Sequence, residues 1–323
     1  MIRLMGSMAI AGAGLPYASA LAQETQEEMT SHQWQGRVLG AEASLQVFHT
    51  DAALAKDIIL QSVALMQRLE KVFSLFDPQS TLSLLNRQGY LEQPDPDFLY
   101  LLRRSIEISE MTGGAFDISV QPLWLHYKQF GLGNKTGLKA AKERVGFDKI
   151  NLSSDRVAFE RKGMALTMNG IAQGYITDRV VSYMKARGVT STLVDMGEYG
   201  AIGPQAGGEP WRIALADPFQ PGGISEIMEL ENAALSTSGA YGEYFDREKH
   251  LHHLFDPENG QSANKYMAVT VKSREALLAD ALSTGFYSMD RDNIKKTMAL
   301  IGKDNQIEAR LTMPDGQIYT MKA

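Results

Sequence analysis

Cysteine is missing from this 323-residue chain. Its absence excludes disulfides, thiolate metal sites, a cysteine nucleophile and lipid attachment at an N-terminal cysteine. No block of basic residues interleaved with aromatics occurs either, and the formal net charge is -6, so nucleic acid is not an expected partner. The chain has no G-x-G-x-x-G opening a helix, no P-loop and no G-x-S-x-G elbow, which removes the common nucleotide and hydrolase motifs. Long apolar runs are lacking too. The nearest to one, MIRLMGSMAIAGAGLPYASALAQ at the start, is too short and too rich in Gly and Ala for a membrane span and reads as an export signal. Ala20-Leu21-Ala22 offers a cleavage site before Gln23. Residues 1–22 are therefore expected to be a signal peptide, 23–33 an acidic linker and 34–323 the working domain. The mature protein is expected free in the periplasm, without a membrane span, after export by the Sec or the twin-arginine route.

What is present supports a sizeable core, since 44% of the residues are hydrophobic. Residues 34–49 alternate apolar and polar as a half-buried strand does. Leu54, Ile58, Val63 and Leu69 recur at helical spacing and predict a helix over 52–73, ended by the turn Phe76-Asp77-Pro78. A short helical turn over 80–86 and a helix over 96–111 follow, the latter stopped by Gly113-Gly114. Residues 137–145 read as helical, 149–168 as a hairpin, and 192–203, 211–216 and 266–271 as strands. A helix over 274–286 and two strands near 306–311 and 317–321 complete the chain. Strands and helices that interleave without regular alternation predict an α+β fold.

The most telling stretch is 165–188, ALTMNGIAQGYITDRVVSYMKARG. It reads as a strand, a turn at Asn169-Gly170 and a fresh helix, whose unpaired N–H groups and positive dipole end suit an anion. By itself such a turn is more often only a turn. Asp280 and Thr284, four apart, project from one helix face and offer oxygen ligands to a hard cation such as Mg²⁺. The spacing is common, and the bland alternative is a solvated Asp280 beside a core-facing Thr284. His250, His252 and His253 cluster before Asp256-Pro257, but their spacing lacks the familiar zinc patterns, and a single His acting as general base is more economical. A surface His cluster before a Pro turn is the plain reading. Gly113 to Asp117 could wrap a flat ring or simply cap a helix, and Ser236-Thr237-Ser238-Gly239 reads as a hydroxyl-rich turn.

Taken in order, six segments resemble the ApbE-type flavin transferases, which are FAD:protein FMN transferases. They are Phe73 to Pro78 with Ser80, Leu82, Ser83 and Asn86; Thr112 to Asp117; Asn169 to Gly174; Thr237 to Gly239; His253 to Pro257 with Gly260; and Ala279 to Thr284. No one segment is specific; their order is. The resemblance implies a T-fold-related mixed architecture with antiparallel sheets and packed helices. It also implies an exported, Mg²⁺-dependent enzyme that splits FAD, attaches FMN to a Ser or Thr of a target flavoprotein and releases AMP. An electron-transfer membrane protein is among the targets it suggests. Carried over by position, the metal is held by the Gly170 carbonyl, Asp280 and Thr284. FAD contacts fall at Leu39, Phe76, Ala115, Phe116, Asp117, Thr167, Gln173 and Leu254. His253 matches a histidine that activates the attacking hydroxyl, with Asp280 as its catalytic companion at the metal.

The chain departs from the family where relatives often carry Asp at Thr167, Lys at Gln173 and Tyr at Phe76. Asp195 to Tyr199, Asp-Met-Gly-Glu-Tyr, departs from the usual Asn-x-Gly-Gly-Asp. Gln173 lacks the point charge a Lys would offer a phosphate, although an amide still donates a hydrogen bond. Asn-Gly-Ile-Ala-Gln-Gly together with an export signal resembles the branch serving nitrous oxide reductase maturation. Two other functions stay open: an FAD pyrophosphatase giving FMN and AMP, and a non-catalytic FAD-binding maturation factor.

Overall fold

The computed structural model describes residues 29–323. The signal read over 1–22 lies outside the described residues, as does most of the linker. The chain opens with an antiparallel hairpin, β1 (Thr30–Val38) and β2 (Ala41–His49), where the sequence suggested one strand. Leu39 and Gly40, with φ of 49° and 83°, make the turn, and period-two burial continues on both sides of it. Thr30 lies inside the segment read as linker. Helix α1 (Ala52–Phe73) matches its expected bounds because Asp51 caps it, accepting the Ala53 and Leu54 amides at 2.8 and 3.0 Å. Then come α2 (Thr81–Gln88), capped by Ser80, β3 (Tyr90–Glu92), and α3 (Pro96–Met111), which begins on Pro in the first turn behind an Asp95 cap.

Past a 3-10 turn at Ile118–Val120 lie α4 (Gln121–Phe130) and α5 (Lys135–Lys142). Sequence periodicity did not single out α4. Strands β4 (Ile150–Leu152) and β5 (Arg156–Phe159) form the hairpin expected over 149–168, but it stops at Phe159. Residues 164–168 are irregular, not a strand. They are pinned instead by Asn86, whose side chain exchanges two hydrogen bonds with the Leu166 backbone at 2.7 and 2.8 Å. The strand expected ahead of the Asn169 turn is thus replaced by a side-chain clamp.

Helix α6 (Ala172–Ala186) leads to β6 (Thr192–Asp195), β7 (Tyr199–Ile202), the hairpin β8 (Trp211–Ala216) with β9 (Ile224–Leu230), and β10 (Ala234–Gly239). Short strands β11 (Phe255–Asp256) and β12 (Gln261–Ser262) precede β13 (Ala268–Ser273). Helices α7 (Ala276–Phe286) and α8 (Arg291–Ile301) and the edge pair β14 (Glu308–Thr312) and β15 (Ile318–Lys322) close the chain.

Eight strands form one antiparallel sheet in the order β1-β2-β6-β7-β10-β13-β14-β15, so the fold is α+β. Alternation sends Leu45, Val47, Val194 and Ile202 into the main core beneath α1, α6 and α7. Their strand neighbours Phe48, Leu193 and Ala201 face the other way and pack with Trp211 of β8. Ser236 to Gly239, expected as a turn, is the heart of β10, paired along β13. Its hydroxyls survive in a strand because alternate ones point at different partners: Thr237 meets Thr270 at 2.9 Å, while Ser236 and Ser238 meet α7. Among the described residues, no helix is long and apolar enough to cross a membrane.

Candidate active site

The site grows from the junction of α6 and α7. Neither helix has a side-chain cap of its own: Ile171 at the start of α6 and Glu275 at the start of α7 make no side-chain cap hydrogen bond. Each borrows one from the other. Asp178 of α6 accepts the first amides of α7, from Ala276 and Leu277, both at 2.8 Å. Asp280 of α7 accepts the Gly174 amide in the first turn of α6 at 3.1 Å. Orphan N–H groups at each end are satisfied, and each carboxylate meets a positive dipole end.

So close a crossing demands glycine. A Cβ on Gly174 would stand 2.3 Å from the Ala276 carbonyl oxygen, and one on Gly170 would stand 2.8 Å from Thr284 Oγ1. Gly170 therefore lies against Thr284, and Gly174 against Asp280. The three residues expected to hold a metal are brought together, supplying a carbonyl, a hydroxyl and a carboxylate. Asp280 is 3% exposed, not solvated as the bland alternative held. Burial pushes its carboxyl up to about 7, opposed by the Gly174 amide and reinforced by the charge of Asp178. Beneath it runs a hydroxyl chain: Ser283 Oγ donates to the Asp280 carbonyl at 3.0 Å and meets Ser236 and Ser238 at 3.0 and 2.8 Å, and Ser238 reaches Thr284 at 3.3 Å.

One acidic group here was read in the sequence only as a departure from pattern. Glu198, in the turn between β6 and β7, is 8% exposed, and its Oε2 has no hydrogen-bond partner among the described residues. Burial raises its carboxyl well above the usual range, Asp280 raises it further, and the Ser236 hydroxyl bonded to it opposes. Gln173 holds the same turn, its Nε2 donating to the Met196 carbonyl at 2.6 Å. No sequence motif flags Glu198; a lone acidic residue beside a strand turn carries no periodic signal.

His253 sits apart on the segment after a 3-10 turn at Ala240–Gly242. Its Nδ1 lies 3.3 Å from the Glu243 carbonyl oxygen, and its backbone amide donates to that oxygen at 3.2 Å. A carbonyl can only accept, so Nδ1 carries the proton and the lone pair lies on Nε2. Burial holds the ring below the ordinary histidine value, so it is neutral at pH 7. Helix α4 fixes this arrangement: Trp124 and Lys128 bind the Glu243 carboxylate at 2.9 and 3.0 Å. The other histidines differ in kind. His250 is exposed, whereas His252 is fully buried beside Asn264, and burial pushes it down to about 4.

The residues expected against FAD are more dispersed. Phe76 is 81% exposed on a loop stapled by Ser74, whose Oγ accepts the Phe76 and Asp77 amides, both at 3.1 Å. Leu39 lies at the same end of α1, its amide donating to Glu70 at 2.9 Å. Ala115 is partly buried, and Phe116 packs its Cβ against Gly285 of α7. Asp117 is buried and accepts the Ser119 and Phe147 amides at 2.7 and 3.0 Å, so its carboxylate orders the loop around it. Burial raises it. Thr167 ties to Ile118 by its amide at 2.8 Å, which joins the Asp117 loop to the Asn169 turn. Leu254 is buried beside His253.

Comparison with known proteins places these features in a family. Residues 39–311 match the model of the ApbE family. An FAD:protein FMN transferase of Treponema pallidum is 26% identical over 307 residues, covering 87% of this chain and 84% of that protein. One from Haemophilus influenzae is also 26% identical, over 261 residues, covering 75% and 74%. Among solved structures, the ApbE protein of Thermotoga maritima superposes with a TM-score of 0.81 at 24% identity, over 90% of this chain and 96% of that one. The apo flavinyl transferase ApbE of Pseudomonas stutzeri gives 0.77 at 26% identity, over 91% and 95%. The match spans both halves of the site, from the Phe76 loop to α7, and the chain belongs to the ApbE family.

Proposed function

We propose that the chain is an FAD:protein FMN transferase, moving FMN from FAD to a Ser or Thr hydroxyl of a target flavoprotein and releasing AMP. One observation carries the reading: Gly170 and Gly174 seat the start of α6 against Thr284 and Asp280, so oxygen donors and a helix N-terminus converge where a pyrophosphate would lie. The all-oxygen donor set, with a buried carboxylate that has no ion-pair partner among the described residues, fits a hard cation. Asp280, Thr284 and the Gly170 carbonyl would hold Mg²⁺. When bound, Mg²⁺ supplies Lewis-acid stabilisation of charge on the pyrophosphate.

In the transfer, the acceptor oxygen bonds to the phosphorus on the flavin side and the bridging P–O bond breaks, with AMP leaving on the electron pair. His253 takes the hydroxyl proton on Nε2, which has no hydrogen-bond partner among the described residues. The Glu243 carbonyl steadies the imidazolium so formed. Phe76 offers an exposed ring face to the flavin. The test is incubation with FAD, Mg²⁺ and a flavoprotein domain carrying Asp-Gly-x-Ser/Thr-Gly-Ala-Ser/Thr, followed by mass measurement. A gain of one esterified FMN is expected, and an unchanged mass on every such domain overturns the reading.

The same Nε2 would serve water as readily as a hydroxyl, which favours FAD pyrophosphatase action as the second reading; free FMN and AMP without an acceptor would establish it. A non-catalytic maturation factor would bind FAD and yield neither product. We assign the protein to the periplasm on its N-terminal segment, and its acceptor to the electron-transfer flavoproteins that serve nitrous oxide reductase. Cell fractionation and loss of flavinylated acceptor in a deletion strain test those two assignments.

A further inference from the structure

Two buried carboxylates stand together with no basic partner. Among the described residues neither Glu198 nor Asp280 takes part in a salt bridge, and Glu198 Oε2 has no hydrogen bond at all. Buried charges are paired or bound to metal.

Two separate ties bring Glu198 to the cation site. Through α6, consecutive residues serve both carboxylates: Gln173 bonds the Met196 carbonyl at 2.6 Å and Gly174 bonds Asp280 at 3.1 Å. Through β10, Ser236, which stands beside Glu198, lies 3.0 Å from Ser283 Oγ, whose hydroxyl donates to the Asp280 carbonyl. The Glu198 backbone is fixed as well, its carbonyl accepting the Met196 amide at 3.1 Å across Gly197, whose φ of 90° forms the tight turn. A buried carboxyl on so fixed a backbone, with one oxygen left unpaired among the described residues, is prepared for a ligand that the protein itself does not provide.

We propose that Glu198 is a further ligand of the Asp280–Thr284–Gly170 cation site, entering from the β6–β7 turn so that a single divalent ion lies between two carboxylates. The inference rests on the cation site proposed above and adds a ligand to it. Two anionic oxygens with a hydroxyl and a carbonyl suit Mg²⁺ or Mn²⁺ and leave positions for water and phosphate oxygens. Ser236, beside the carboxylate on β10, is then a positioning residue.

The experiment is a titration of the full chain with Mn²⁺ alone, without FAD, followed by the electron paramagnetic resonance of free Mn²⁺. Wild type is expected to bind one ion, and Glu198→Gln to weaken binding about 10- to 100-fold. Asp280→Asn serves as the reference for loss of the site. If Glu198→Gln binds as tightly as wild type while Asp280→Asn does not bind, Glu198 is no ligand and the cation site of the proposed function stands. If wild type binds no Mn²⁺, both fall. Thermal unfolding in EDTA guards against misfolding, since Glu198→Gln keeps the size of the buried side chain and is expected to melt no lower than wild type. Should the variant fail to fold, anomalous diffraction from Mn²⁺-soaked wild-type crystals decides. A peak bonded to Glu198 Oε2 supports the inference; a peak held by Asp280 beyond reach of Glu198 overturns it.

Discussion

At the scale of single residues, the group with the most defined chemistry is His253. Its Nδ1–H is committed to the Glu243 carbonyl, so the base proposed for the transfer is Nε2, and that role requires a neutral ring. Burial holds it below the ordinary value of 6.5, so the acid limb of kcat/KM is expected to have its midpoint under pH 6.5 and to level off above it. A pH profile with saturating Mg²⁺ checks this. His253→Ala is expected to lower the transfer rate by about 10²- to 10⁴-fold while FAD still binds. His253 was readable in the sequence because it stands before Asp256-Pro257 in a family pattern. Glu198 was not, because its importance comes from burial and from Asp280, and neither is written into neighbouring residues. The hydroxyls of β10 were misread for a related reason: Ser and Thr are turn formers locally, and only the facing Ser283 and Thr270 justify them in a strand.

At the scale of elements, the α6–α7 crossing is where substitutions bite. Gly174→Ala would force a methyl onto the Ala276 carbonyl and is expected to cost about 1–3 kcal/mol in urea unfolding. Gly170→Ala is expected to cost less, since it meets the movable end of Thr284. Asp178→Ala removes the borrowed cap of α7 and is expected to cost about 0.5–2 kcal/mol at pH 5. The folded-state value of Asp178, about 7, lies above its ordinary 3.8, so between those pH values the folded chain keeps a proton that the unfolded chain has released. Its contribution is full below about pH 4 and is lost as pH rises through 7. The gap between wild type and Asp178→Ala should therefore shrink from pH 5 to pH 8, and unfolding at both values measures it. Elements with local signals were legible: α1 by its apolar helical spacing and the Phe76-Asp77-Pro78 turn, and α3 by the Gly113-Gly114 stop. Helix α6 was legible in its body and, through the Asn169-Gly170 turn, in its start, but its cap was not, because that is supplied from α7.

At the scale of the whole molecule, the sheet and its three covering helices fix the α6–α7 junction, while Phe76 and Leu39 come from the far end of α1. The two parts differ in what they contribute. Phe76, being 81% exposed, supports no core, so Phe76→Ala is expected to leave stability within about 0.5 kcal/mol of wild type while weakening FAD binding. Fluorescence titration with FAD beside a thermal melt separates the two effects. The α+β class was legible from irregular interleaving of strands and helices, yet the order of the eight strands was not, since pairings such as β2 with β6 are set by packing far along the chain.

The exchange of caps between α6 and α7 has a consequence for how the molecule breathes. Neither helix can fray at its N-terminus without releasing amides that only the other's carboxylate satisfies, so the pair should open as one cooperative unit. In native-state hydrogen exchange, the amides of Gly174, Ala276 and Leu277 should then share one opening free energy, and Asp178→Ala should lower protection at all three. The cation site proposed across that pair would have no half-assembled form: it would exist whole or be gone.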